Sequence, residues 1–205
     1  MSKTKDELLR EKILAGADML FQKYGLTKTT MEDIAREAGK GKSTLYYYFK
    51  SKEEIFDAII QREKARLFDI IQEAVAEAPT AREKLSTVCK IRFENVKVWR
   101  NLYNVMIEEV VAALASGKGA GIANCYRGQY DQKDASLFKS ILQYGIVTGE
   151  FRVFSEQDLD MIAFMFVSSQ HGLEMDLIVY DRFDEFSTRF DFMLDLLIHG
   201  IHKEK

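Results

Sequence analysis

TTMEDIAREAGKGKSTLYYYFKSKEEIF, from Thr29 to Phe56, is the stretch on which the reading of this chain turns. Thr30 has the chemistry of a helix N-cap, and Asp33 three residues later completes a capping-box-like pair. A short helix is expected from Met31 to Ala38, stopped by Gly39. Ala35 is small where two helices would cross, and Gly39 permits the turn with φ > 0 at little cost. A second short helix is expected over Lys42 to Phe49. Ile34, Ala38, Leu45 and Tyr48 fall where these two helices share a small core with the helix before them. That leaves Lys42, Ser43, Thr44, Tyr46 and Tyr47 on the outside, groups that bond phosphates or base edges. The pattern is a helix-turn-helix, with a plain helical hairpin as the other reading.

Outward from this stretch the chain stays helical. Leu9, Ile13, Ala17, Leu20, Phe21 and Tyr24 form one stripe of a first helix that ends at Gly25. Ser51 caps a long fourth helix from Lys52 to Ala78, with Phe56, Ile59, Ile60, Leu67, Ile70, Ile71 and Ala74 on one face. Five more helices are expected, over 81–98, 99–114, 122–146, 156–178 and 183–201. Between them lie a Gly-rich loop at 116–121 and a turn at Gly149-Glu150-Phe151-Arg152 that leads into a short extended piece. There is one proline, Pro79, in 205 residues. A β-sandwich of this length needs many Gly/Pro-punctuated turns. The fold class is therefore all-α, with about nine helices.

The net charge is −3, yet residues 1–66 hold 14 Lys and Arg against 11 Asp and Glu. Between Lys40 and Lys52 stand Lys40, Lys42, Lys50 and Lys52 with no acid, which suggests a local anionic partner. The longest apolar run, Met161 to Val167, is far short of the roughly 20 residues of a membrane span. No secretory signal is visible at the start. Cys89 and Cys125 make neither a disulfide framework nor a zinc knuckle, so a reduced cytoplasmic setting is expected. GKGKST at Gly39 to Thr44 is not a phosphate loop, because Arg36 stands where the first Gly is required and a helix precedes it. His199 and His202 lack a carboxylate or Cys partner at ligand spacing. No G-x-S-x-G elbow and no other catalytic constellation stands out. Neither a metal, a cofactor nor an enzymatic activity is expected.

The last two helices are apolar on more than one side. Leu159, Ile162, Ala163, Phe166, Gln170 and Leu173 make one stripe, while Met161, Phe164, Met165 and Val167 fall off it. Phe183, Phe186, Phe190, Met193, Leu194 and Leu197 make another, with Phe192 and Leu196 elsewhere. Helices apolar all round are buried all round, and a second copy is the economical cover. A homodimer with a four-helix interface is expected, at Phe166, Ser169, Leu173, Phe190, Met193 and Leu197. Ser168, Ser169 and Gly172 would permit close approach.

The segment Thr29 to Phe56, preceded by ILAGADMLFQKYG (Ile13 to Gly25), resembles the tetracycline-repressor-like (TetR) family of bacterial transcriptional regulators. Thr30, Ile34, Ala35, Ala38, Gly39, Leu45, Tyr46, Tyr48, Phe49, Ser51, Lys52 and Glu53 match the family's usual pattern. Lys40, Gly41 and Ser43 depart from it. The resemblance implies an N-terminal three-helix DNA-binding domain (1–51) and a C-terminal helical ligand-binding and dimerisation domain (52–205). It implies DNA contacts from Thr30, Lys40, Lys42, Ser43, Thr44, Tyr46, Tyr47 and Lys52, with Thr30 and Lys52 on flanking phosphates. It also implies a small-molecule effector in a cavity of the second domain, with Phe93, Trp99, Tyr103, Met106, Tyr144, Phe164 and His171 as candidate lining. The function implied is a homodimeric repressor on a palindromic double-stranded operator, with half-sites about one turn, roughly 34–36 Å, apart. A small apolar or aromatic effector would release it. The rival reading is a helical enzyme or carrier whose N-terminal hairpin is only structural; it predicts no salt-dependent DNA affinity.

Overall fold

The computed structural model describes residues 4–98, 100–102, 104–105, 107, 119–180 and 182–202, with the backbone alone over 119–131. Its named helices are α1 (Lys5–Tyr24), α2 (Met31–Glu37), α3 (Lys42–Tyr48), α4 (Lys52–Glu77), α5 (Ala81–Val98), α6 (Gly119–Val147), α7 (Glu156–Val179), α8 (Phe183–Ser187) and α9 (Phe190–His199). Among the described residues the only extended pairing is one antiparallel bridge, Phe151 to His202. The expected helix at 99–114 falls largely outside the described residues. Gly119–Gly121, expected in a loop, start α6 instead. The expected last helix is split by a turn at Thr188–Arg189, where Arg189 N–H donates to the Phe186 carbonyl at 3.1 Å.

Two compact units divide the chain, Met1–Arg66 and Leu67–Lys205. The first unit ends inside α4, fifteen residues later than the boundary at 51/52 expected from sequence. The reason is packing: Ile55, Phe56 and Ile59 at the start of α4 are fully buried with Ile13, Leu14, Phe21, Ile34, Leu45 and Phe49. The Phe21 and Phe56 rings meet edge to face at 5.7 Å. Arg62 binds α4 to α1, with Glu11 at 3.7 Å, Asp18 at 3.6 Å and Glu63 at 2.8 Å. Both capping boxes of this unit form, Thr4 with Glu7 and Thr30 with Asp33. Gly39 takes φ +65°, the left-handed turn that its lack of a Cβ permits.

The second unit has its core among Ile71, Leu85, Val88, Phe138, Leu142, Phe151, Leu159, Ala163, Leu194 and Ile198. Phe138 of α6 stacks on Phe166 of α7 at 5.1 Å. Lys139 ties the same helices together through Asp160 at 2.6 Å and Glu156 at 2.8 Å. The turn after α6 does more than reverse the chain. Glu150 accepts from the backbone N–H of Ala81 at 2.9 Å and of Arg82 at 3.3 Å, so it caps α5 from a distance in sequence. Phe151 is buried against Gly145, where an added Cβ would lie 2.2 Å from the ring. Gly145→Ala is therefore expected to lower unfolding stability by about 1–3 kcal/mol, the usual cost of overpacking. Denaturant unfolding checks this, and a wild-type midpoint would contradict it.

Candidate nucleic-acid interface and cavity

α3 buries Leu45 and turns Lys42, Ser43, Tyr46 and Tyr47 outward. Tyr47 is 79% exposed and Tyr46 44%. The Tyr47 ring leans edge-on against Tyr48 at 5.1 Å, and the Tyr48 hydroxyl donates to Asp6 Oδ1 at 2.7 Å. That bond pushes the Tyr48 phenol pKa up and fixes the end of α3 to α1. No side chain caps the start of α3, where Gly41 is the N-cap. Lys40 N–H donates to the Ala35 carbonyl at 2.9 Å, closing the turn between the two short helices. The result is one exposed helix face of one cation, one hydroxyl and two phenols, carried by a three-helix unit.

The second unit contains a cavity of about 320 Å³ between α5, α7 and α9. Phe93, Phe166, Leu173, Leu177, Phe190 and Leu194 give it an apolar wall. The Phe93 and Phe190 rings lie 5.1 Å apart. Its polar groups are Cys89, Arg92, Ser169, Gln170 and Glu174. Arg92 is held in a buried ion cluster, close to Asp134 and 3.6 Å from Glu174. Burial pushes the Cys89 thiol up to about 11, so it stays protonated near neutral pH.

Comparison with known proteins agrees with this geometry. Residues 13–59 match the family model described as bacterial regulatory proteins, tetR family. The uncharacterized HTH-type transcriptional regulator YfiR of Bacillus subtilis is 30% identical over 178 residues, 83% of this chain and 80% of that protein. The chain belongs to the tetR family of bacterial regulatory proteins. The HTH-type transcriptional repressor KstR2 of Rhodococcus jostii is 28% identical over 159 residues, 77% of this chain and 74% of that one. A solved transcriptional regulator from Cytophaga hutchinsonii superposes with a TM-score of 0.77 at 26% identity, covering 94% of this chain and 98% of that chain. This protein is accordingly an all-helical, DNA-binding transcriptional regulator.

The TetR-family regulator places its expected DNA-binding residues in two groups. Lys40, Lys42, Ser43, Tyr46 and Tyr47 are exposed, and Thr44 is half-buried. Thr30 is exposed too, but its hydroxyl is engaged with Asp33 at 2.6 Å, a bond that holds the Asp33 carboxyl below its usual range. Lys42 pairs with Glu32 of α2; the bond raises the lysine's pKa and lowers that of the glutamate. A phosphate approaching Lys42 must compete with that carboxylate, a small barrier for an exposed pair. Lys52 is different. Its Nζ donates to the carbonyls of Leu26 at 2.8 Å, Thr29 at 3.1 Å and Thr27 at 3.2 Å. The ammonium group is thus engaged by the loop before α2, where the sequence analysis expects a phosphate. No local sequence signal reveals this, because the carbonyls are 23 to 26 residues away.

The six residues expected at a dimer interface, Phe166, Ser169, Leu173, Phe190, Met193 and Leu197, all line the cavity of the single chain. Of the residues expected to line a cavity, Phe93 does so. Phe164 is instead 62% exposed on α7. Tyr144 is also exposed, its hydroxyl donating to the Pro79 carbonyl at 3.2 Å. His171 is half-buried beside Gln170 and is not among the described lining residues. Trp99, Tyr103 and Met106 lie outside the described residues. The exposed apolar rows are Met161, Phe164 and Met165 on α7 and Phe192, Leu196 and Leu197 on α9. Among the described residues no group of three or more His, Cys, Asp and Glu is placed to hold a metal ion, and no helix is long and apolar enough to cross a membrane.

Proposed function

We propose that this TetR-family regulator is a cytoplasmic homodimeric repressor that grips a palindromic operator through α3. It is released when a small apolar or aromatic molecule fills the cavity of the second unit. The observation that carries the reading is the outer face of α3. Tyr47, at 79% exposure, buries almost nothing in the single chain. A large aromatic ring braced in that position beside Ser43, Lys42 and Tyr46 is suited to reach a phosphate or a base edge. The repressor function of a relative 28% identical supports the sign of regulation. The exposed rows on α7 and α9 support self-association, since such patches on a single chain mark contact surfaces. The mostly apolar cavity supports a small-molecule effector. A hundredfold change in operator occupancy then needs a ligand that prefers the DNA-incompatible state by about 2.7 kcal/mol.

The deciding experiment is a fluorescence titration of the full chain on random duplex DNA across a salt series. A steep negative slope of log affinity against log salt is expected. Tyr47→Ala is expected to weaken binding about tenfold, the effect of one or two lost hydrogen bonds and their packing. Its melting temperature should be unchanged, because the ring is exposed. A flat salt dependence, or wild-type affinity in the variant, removes the reading.

A further inference from the structure

The chemistry of the cavity wall narrows what it accepts. Two of its polar residues, Arg92 and Glu174, are charged, and each already faces an opposite charge in the buried cluster with Asp134. An ionic ligand brought into this chamber either stays unpaired among phenylalanines and leucines or must pull one of those side chains from its partner. Gln170 is neutral and half-buried. Among the described residues its hydrogen bonding consists of one contact, Nε2–H to Cys89 Sγ at 3.4 Å. Sulfur is a weak acceptor, so most of the hydrogen-bonding capacity of this amide, including Oε1, is left for something else. The protonated Cys89 thiol beside it adds no charge.

We propose that the cavity takes an uncharged molecule with an apolar or aromatic body and one hydroxyl or carbonyl group that pairs with the Gln170 amide. The proposal deepens the effector reading above and rests on it for its regulatory meaning. Phe93, Phe166 and Phe190 receive the body. A hydroxyl both donates to Gln170 Oε1 and accepts from its N–H, whereas a carbonyl only accepts from the N–H.

Three probes of nearly equal size test this on the full wild-type chain by calorimetric titration: para-butylbenzyl alcohol, para-butylbenzoate and para-butylbenzylammonium. The alcohol is expected to bind at least about tenfold more tightly than either ion, the factor that one well-placed hydrogen bond supplies. Gln170→Leu should weaken alcohol binding about tenfold. Gln170→Glu, which keeps the side chain's size, should transfer the preference to the ammonium. The melting temperature of each unliganded variant shows whether it is folded, and the wild-type ranking stands without either. Equal or tighter binding of the benzoate or the ammonium overturns the proposal. So does undiminished alcohol binding by folded Gln170→Leu, or no binding of any probe. Duplex affinity is read in the same samples. Alcohol binding that leaves duplex affinity unchanged supports the neutral-ligand proposal while removing the effector reading. Release from DNA by an ion in preference to the alcohol does the reverse.

Discussion

Phe164→Glu is expected to convert the regulator to a monomer and to lower its affinity for a two-half-site operator by about a hundredfold or more. Phe164 is 62% exposed, flanked on α7 by Met161 at 58% and Met165 at 57%. A charge there meets water in the single chain and costs its core nothing. In a dimer seated on this row the same charge is buried opposite apolar side chains without a partner, and such burial is strongly unfavourable. The consequence for DNA follows from linkage. Two tethered reading heads convert the second half-site contact into an intramolecular event, and separate chains lose that gain, which spans roughly 10²–10⁴. Sedimentation measures the assembly and fluorescence anisotropy the operator affinity. A variant that sediments as a dimer, or that binds a full operator like wild type, places the contact surface elsewhere. Phe192→Glu on α9, at 61% exposure, is a second probe of the same kind.

Lys52→Met is expected to weaken duplex binding about tenfold and to destabilise the first unit by about 2–3 kcal/mol, while leaving the salt slope as it was. The methionine keeps the apolar stem and deletes the ammonium. Three carbonyls, of Leu26, Thr27 and Thr29, then lose a charged donor at 2.8 to 3.2 Å. These residues lead directly into Thr30, the cap of α2, so the orientation of α2 and with it α3 loosens. A lysine that instead neutralised a phosphate would take about 0.9 off the salt slope when removed, and its effect would fade at high salt. Lysine acetylation of the wild-type chain gives the same discrimination without a substitution. Lys52 should be protected from reagent in free protein and no further protected by DNA. Strong reactivity of free Lys52, quenched by DNA, would restore it to the phosphate-binding set.

The helix-turn-helix was legible in sequence because its determinants are local. Thr30 and Asp33 close a capping box three residues apart, Gly39 supplies the one left-handed turn, and Leu45 recurs at the spacing that buries it. Each works within a few residues of itself, so neighbours along the chain suffice to predict it. The end of the first unit was not legible in this way. Ser51 is a plausible cap and a natural place to cut, yet Ile55, Phe56 and Ile59 belong to the core on the near side. The periodicity of α4 shows that one face is buried, not which core receives each turn of it. GEFR at Gly149 to Arg152 was visible as a turn. Its role in capping α5 through Glu150 and in packing Phe151 on Gly145 depends on partners up to 69 residues away.

The last two long helices draw the same line most clearly. Their apolarity on several sides was plain in sequence, and so was the division into stripes. Which stripe faces the protein's own interior was not. Phe166, Leu173, Phe190 and Met193 surround a cavity, and Met161, Phe164 and Phe192, off the stripe, face outward. Hydrophobic spacing registers that a side chain leaves water, and the free energy of doing so is nearly indifferent to what replaces the water. Composition, helix content, the helix-turn-helix and its family were therefore determined by the sequence alone. The destination of each buried face, the capture of Lys52 by backbone carbonyls and the polar corner at Gln170 were decided by tertiary structure. Those depend on directional contacts between segments that only folding brings together.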